Sequence, residues 1–142
     1  MKTAECIIDR IVNGEEKAWI VYENELFIAF LDHHPLFPGH VLLSPKAHIA
    51  NFDELPASLS GPLFTLCQRL SKAVIDAMQA TGSFIATNNK VSQSIPHLHV
   101  HIVPRNKGDG LKGFFWPRSR YRDDEHLLET QQKIIESLAA NQ

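Results

Sequence analysis

Three histidines, His97, His99 and His101, alternate with Leu98, Val100 and Ile102 in the stretch HLHVHIVPR. On an extended strand residues two apart face the same way, so the imidazoles share one face and the aliphatic residues enter a core on the other. A half-buried strand explains the aliphatic half of this pattern and leaves the imidazole half open. Two chemistries compete for it. Imidazole is a common zinc ligand, and histidines two apart can chelate one ion. The outer pair, however, is separated by about 13 Å at ~3.3 Å per residue, an awkward span for three rings on one ion with bonds near 2 Å. No obvious carboxylate flanks the strand to complete such a set. The second chemistry is phosphate handling. An imidazole with an unperturbed pKa of about 6.5 is largely unprotonated and nucleophilic near pH 7. Its neighbours can donate hydrogen bonds to phosphate oxygens or protonate a leaving group. The central ring, His99, is then best placed to attack phosphorus.

This second reading requires more polar donors nearby, and the chain has them. TNNKVSQSIP, just upstream, offers Asn88, Gln93 and Ser94, all able to hydrogen-bond phosphate oxygens. Further upstream DHHPLFPGHVLLSPKAH (32–48) is a second polar segment with histidines of its own.

The elements that must position these residues follow from periodicity and punctuation. Ile7, Ile8, Ile11 and Val12 stand at helical spacing over 4–13, with Asn13-Gly14 as a stop. Strands are expected over 18–22 and 26–31, turning at 23–25, then over 40–45, 83–88 and 97–104. From Asp53 to about residue 80, Leu59, Leu63, Leu66, Leu70, Val74, Ile75 and Met78 recur at three- and four-residue steps, a long helix whose stripe belongs to the core or to a subunit interface. Residues 123–139 form a C-terminal amphipathic helix. Short strands joined by turns around one long helix imply an α+β fold with a mainly antiparallel sheet, in one domain over 1–142 with 105–142 as an extension. The segment 105–121, RNKGDGLKGFFWPRSRY, reads as a glycine-rich loop of basic and aromatic residues beside the catalytic strand, suited to selecting a leaving group.

A chain of 142 residues, 44% hydrophobic and 21% charged, is long enough for one sizeable core. A net charge of −2 provides no broad basic surface for nucleic acid. Two cysteines, Cys6 and Cys67, make no disulfide framework, and no apolar run suits a signal peptide or a membrane span. A cytoplasmic protein is expected.

HLHVHIV (97–103) resembles the motif of the histidine-triad (HIT) family, His-x-His-x-His followed by two apolar residues. QSIPH resembles the glutamine-led approach to that motif, and FLDHHPLFPGHVLLSPKAH the other signature block, in which an acidic or amide residue lies eight before a histidine that opens a strand. The resemblance spans roughly residues 5–105. It implies a homodimer with a nucleotide cleft in each subunit, no obligatory cofactor, and chemistry at the α-phosphate of a purine nucleotide through a covalent nucleotidyl-histidine. Carried over by position, His99 is the nucleophile, His101 and Ser94 contact the phosphate, and His97 with His40 supports His99. Asp32 binds the ribose hydroxyls, with Ile8, Ile11 and Phe30 lining the base; ordinary core is an equal account of those three. The bond cleaved is P–N or P–O–P, in a phosphoramidate or a dinucleoside polyphosphate. A nucleotide-binding scaffold with little turnover is the alternative.

The chain departs from the family in three places. Many members open with Cys-x-x-Cys, which with two histidines can hold zinc, whereas Cys6 is followed here by Asp9 in place of the second cysteine. The matching histidines are His48 and His97, and the expectation is no structural metal. The loop from Asn88 to Gln93 is short and Ser92 replaces the glycine that usually precedes the glutamine, which puts Asn88's role in question. The tail DGLKGFFWPRSRY matches neither the Hint-like nor the Fhit-like branch.

Overall fold

A computed structural model of the chain describes residues 5–111 and 118–141. The elements run α1 (Ile7–Val12), β1 (Ile20–Glu23), β2 (Phe27–Leu31), β3 (Val41–Pro45), a 3-10 turn (Phe52–Glu54), α2 (Ala57–Met78), β4 (Gly82–Ala86), β5 (Val100–Arg105) and α3 (Asp124–Ala140). The five strands form one sheet in the order β1-β2-β3-β5-β4, every pair antiparallel. The α+β class with a single antiparallel sheet matches the expectation.

Local chemistry accounts for these elements. The β1–β2 turn closes because the Asn24 side-chain oxygen accepts from the Leu26 and Phe27 amides at 2.9 and 2.8 Å, an Asx turn. Helix α1 starts on a capping box, in which Cys6 sulfur accepts from the Asp9 amide while the Asp9 carboxylate accepts from the Cys6 amide. Strands β2 and β3 are buried on both faces because different helices cover the two sides. On one side Phe27, Ala29, Val41, Leu43, Leu98, Val100 and Ile102 meet Leu63, Leu66, Cys67, Leu70 and Val74 of α2. On the other, Ile28, Phe30 and Leu42 meet Ile8 and Ile11 of α1. Each fully buried Leu, Ile or Phe contributes roughly 1.5–3 kcal/mol. The apolar stripe of α2 is therefore consumed by the core, so it supplies no argument for a subunit interface; Phe64 and Met78 remain exposed on that helix.

The histidine strand differs from its expected span. The ladder begins at Val100, and residues 94–97 form a bend. Pro96 sits in a tight turn closed by the His97 amide on the Ile95 carbonyl at 2.8 Å, which the fixed φ of proline favours. Across the sheet, His101 pairs with Leu42, so His40, one residue before β3, meets the imidazole row. Gly39 makes that entry possible: its φ is +96°, and a Cβ there would lie 2.5 Å from Met78 Cγ.

Two compact units divide the chain between Asp109 and Gly110. The second unit starts five residues after the expected start of the extension at 105, since Arg105 pairs with Asp109 and Asn106 accepts from the Thr81 amide at 3.0 Å. In the second unit α3 is capped by Asp123, whose carboxylate accepts from the His126 amide at 2.8 Å. Lys112, Gly113, Phe114, Phe115 and Trp116 of the expected leaving-group loop lie outside the described residues.

Candidate active site

A cavity of about 560 Å³ opens on the α1 side of the sheet, within the range of small-molecule sites. Ile7, Ile11, Trp19, Phe30, Leu42 and Ile95 supply apolar lining, and Asp32, Ser94, His99 and His101 supply polar groups. Glu16, Lys17, His33 and His34 complete the wall. A lining of flat apolar surface with a few convergent polar groups suits a ligand with a ring system and an anionic group.

Hydrogen-bond partners assign a tautomer to each imidazole at the cavity. His99 Nδ1 lies 2.7 Å from the His97 carbonyl. A carbonyl only accepts, so Nδ1 carries the proton and Nε2 keeps its lone pair, the form a nucleophile needs. At His40, Nδ1 accepts from the Leu36 amide at 3.1 Å. The His40 proton is therefore on Nε2, 2.9 Å from His101 Nδ1, which accepts it. His101 in turn holds its proton on Nε2. The arrangement pairs a nucleophilic ring with a neighbouring ring that donates, their centroids 5.0 Å apart.

Electrostatics keep the donor pair neutral. Burial pushes His101 down to about 4, helped by repulsion from His99 and His40 and opposed by Asp32. Burial lowers His40 too, against the pull of Asp32. The Asp32 carboxylate accepts from the His34 amide at 2.9 Å through Oδ1 and lies 3.8 Å from His40 Nε2 through Oδ2. It retains acceptor capacity toward the cavity it lines.

The structure redistributes several expected site residues. His99, His101, Asp32, Ser94, Ile11 and Phe30 line the cavity together, and His40 stands behind them bonded to His101. Ile8 is fully buried in the small core and is not among the cavity residues; its neighbour Ile7 is. Gln93 does not face the cavity either: its amide donates to the Ala50 carbonyl at 2.6 Å and its oxygen accepts from the Lys90 amide at 3.2 Å. Asn88 is exposed and absent from the wall, while adjacent Asn89 holds the Phe52 amide at 2.8 Å. Lys90 and Ser92 adopt φ of +67° and +58°, so Ser92 keeps the left-handed backbone that glycine usually provides there. His97 does not pair with His40, which bonds His101 instead; His97 supports His99 through its carbonyl. Lys17, Trp19, His33 and His34 went unread in the sequence. Two histidines directly after Asp32 were the available signal; the 56% exposure of Trp19 appears only in the fold.

The His97 ring belongs to a second cluster. Cys6, Asp9, His48 and His97 place candidate donor atoms within 4.8 Å of one another. The flanking carboxylate missing from the strand thus arrives from α1. The set of one thiol, one carboxylate and two imidazoles fits a zinc-type ion, and such an ion would tie the start of α1 to the strand. Two separate clusters also confirm that the three strand histidines do not converge on one point.

The HIT domain pattern matches residues 13–108. An uncharacterized HIT-like protein from Saccharolobus solfataricus is 38% identical over 94% of this chain and 97% of its own length. A crystal structure from Streptococcus mutans UA159 superimposes with a TM-score of 0.87 at 29% identity, covering 96% of this chain and 87% of that one. More partial relatives include the adenylylsulfatase HINT3 of Arabidopsis thaliana, 31% identical over 75% of this chain and 55% of its own. The asymmetrical bis(5'-nucleosyl)-tetraphosphatase of Schizosaccharomyces pombe is 34% identical over 63% and 50%. With 96 of 142 residues inside the domain pattern (13–108) and the same fold in solved relatives, the chain belongs to the HIT family.

Proposed function

We propose that the protein is a nucleotide hydrolase or nucleotidyl transferase that works through a covalent nucleotidyl-His99 intermediate. The observation that carries this reading is the lone pair of His99 Nε2, left free at the cavity wall because the His97 carbonyl holds the Nδ1 proton. In the first step Nε2 attacks the α-phosphorus in line, forming an N–P bond as the bond to the leaving group breaks. His101 donates from Nε2, and His40 keeps that proton in place by donating to His101 Nδ1. Ser94 donates to a phosphate oxygen and Asp32 accepts from the ribose hydroxyls. In the second step water attacks the same phosphorus and the imidazole leaves; an alcohol, amine or phosphate in place of water makes the reaction a transfer. The base rests among Ile7, Ile11, Trp19 and Phe30.

Relatives named for adenylyl sulfate and for a dinucleoside tetraphosphate share a nucleotidyl group joined to an anionic leaving group. Lys17, His33 and His34 at the cavity wall suit such a group. Phosphoramidates remain in the same reaction class. The scaffold reading is disfavoured because nucleophile, donor and support are all intact. The test is a screen of AMP phosphoramidate, Ap3A, Ap4A, adenylyl sulfate and adenylyl-lysine for AMP release, together with mass detection of the nucleotidylated chain, wild type against His99→Ala. No AMP from any compound, and no adduct, would return the protein to the scaffold class. No step uses a metal, so turnover is expected to survive exhaustive chelation.

The active form is proposed to be a homodimer, as the family resemblance implies. Light scattering that gave a monomer at micromolar concentration would count against it. Among the described residues no helix is long and apolar enough to cross a membrane.

A further inference from the structure

The carbonyls of His97, Leu98 and His99 each accept a hydrogen bond from a side chain. His97 takes the Nδ1 proton of His99 at 2.7 Å, Leu98 takes the Ser44 hydroxyl at 2.7 Å, and His99 takes the Thr87 hydroxyl at 2.9 Å. The Leu98 amide, in the same peptide unit as the His97 carbonyl, donates to the Ile49 carbonyl at 2.7 Å. The backbone that carries His99 is thus tied on both edges.

Sheet register explains why hydroxyls appear at these positions. On one side the β3–β5 pairing ends at Leu43 with Val100, and the next residue of β3 is Ser44. On the other the β4–β5 pairing ends at Ala86 with His101, and the next residue is Thr87. His99 therefore lies beyond the last rung of both ladders. Chain ends outside a ladder open more readily than its middle, and here a hydroxyl from each neighbouring strand carries the hold further. Ser44 is fully buried beside Val41, Leu42 and Leu43, a place where a hydroxyl is costly unless bonded. Its oxygen also lies 3.1 Å from the Pro45 carbonyl, so the shorter contact to Leu98 is the better bond. Neither Ser44 nor Thr87 is among the residues lining the cavity.

From this arrangement we infer that Ser44 and Thr87 are positioning residues for the reaction, acting through the backbone on either side of His99. The inference rests on the reading of His99 as nucleophile. The two hydroxyls fix the peptide units that keep His99 Nδ1 on the His97 carbonyl and Nε2 at the cavity. With a hydroxyl removed, the 97–99 backbone gains freedom and the Nδ1 bond loosens. The ring then samples the tautomer with its proton on Nε2, which has no lone pair there for phosphorus. Attack geometry is steep, since a misplacement of about 1 Å can cost on the order of a hundredfold in rate.

The test compares Thr87→Val, Ser44→Ala and Thr87→Ser with wild type in the full chain. Steady-state kinetics use AMP phosphoramidate as the probe, and ring-nitrogen NMR of the isotope-labelled chain reads the His99 tautomer without any ligand. Thr87→Val and Ser44→Ala should each lower kcat about tenfold with KM within about twofold. Each should also move the two His99 nitrogen shifts from those of a single tautomer toward their mean. Thr87→Ser keeps the hydroxyl and should recover both kcat and the shifts. Thr87 is only half-buried, so its variants keep the test decisive if Ser44→Ala fails to fold. Unchanged kcat and shifts in Thr87→Val and Ser44→Ala, even with a lower melting temperature, would overturn the inference. So would a Thr87→Ser chain as slow as Thr87→Val. A wild type inactive on the probe, with shifts that respond as stated, would uphold the positioning and count against the hydrolase reading alone.

Discussion

His97 and His99 are two residues apart, on the same side of the sheet, and do different things. His99 turns its Nδ1 to a backbone carbonyl and leaves Nε2 at an open cavity. His97 does the reverse: its Nε2 is tied to the Pro45 carbonyl, and its Nδ1 faces a thiol and a carboxylate in a packed corner. One ring is left reactive and the other is held as structure. The comparison teaches that a histidine's function is set by which nitrogen the backbone takes. His97 then joins the two regions, since its ring secures the corner and its carbonyl sets the tautomer of His99, the proposed nucleophile.

The sharpest way to break this contrast is to remove each ring in turn. His99→Ala should lower AMP release on the order of a thousandfold or more while nucleotide binding persists. Retention of wild-type turnover in a steady-state assay would refute the nucleophile. His97→Ala should instead cost about 2–4 kcal/mol of stability, since it empties a fully buried position and takes one of its donors from the Pro45 carbonyl. Urea unfolding measures it, and a loss under about 0.5 kcal/mol would remove the structural half of the comparison.

Within the reactive region, His101→Asn should reduce turnover by about a hundredfold or less. His40→Ala should reduce it somewhat less, because His40 acts through His101; its mark is a changed pH profile of kcat. A His40→Ala enzyme with wild-type rate and profile would show that the His101 tautomer needs no holding.

Acidification probes both regions together. Burial depresses His40, His97 and His101 in the folded chain, the last to about 4. In the unfolded chain each titrates near 6.5, so unfolding takes up protons between these values. Their stabilisation is complete above about pH 6.5 and is lost as pH falls toward 4. Asp9 adds in the same direction lower down: burial raises its pKa, but the Cys6 amide and thiol and His48 outweigh that and hold it below the ordinary value. The melting temperature should therefore decline from pH 7 to pH 4, and less steeply in His101→Asn. A flat profile would contradict the burial argument.

The smallest effect belongs to the loop that leads into both histidines. Ser92 at φ +58° pays a left-handed strain that glycine would relieve, so Ser92→Gly should stabilise by about 0.5–1 kcal/mol. A destabilisation in the same urea assay would mean that the Ser92 side chain makes a contact worth more than the strain.

The imidazole alternation, the antiparallel strands and the long helix were legible in the amino-acid order, because periodicity of 2 and 3.6 is a property of neighbours in sequence, whereas the grouping of Asp32, His40 and Ser94 with His99 and His101 came from the resemblance to the HIT family. The four-residue corner was half legible: its members could be named from the family pattern, but not that their donor atoms lie within 4.8 Å of one another. Gln93, Asn88 and Ile8 read as site residues because their chemistry suits a ligand. The fold turned Gln93 onto Ala50, left Asn88 exposed and buried Ile8 beneath α1. Residue order determined which groups were available and how they were spaced along each element. Only tertiary structure decided which partner each ring nitrogen met, because the Pro45 carbonyl, the Leu36 amide and the Asp9 carboxylate lie 52, 4 and 88 positions from the histidines they meet, His97, His40 and His97. Two of those three partnerships join parts of the chain that come together only when the sheet and α1 pack.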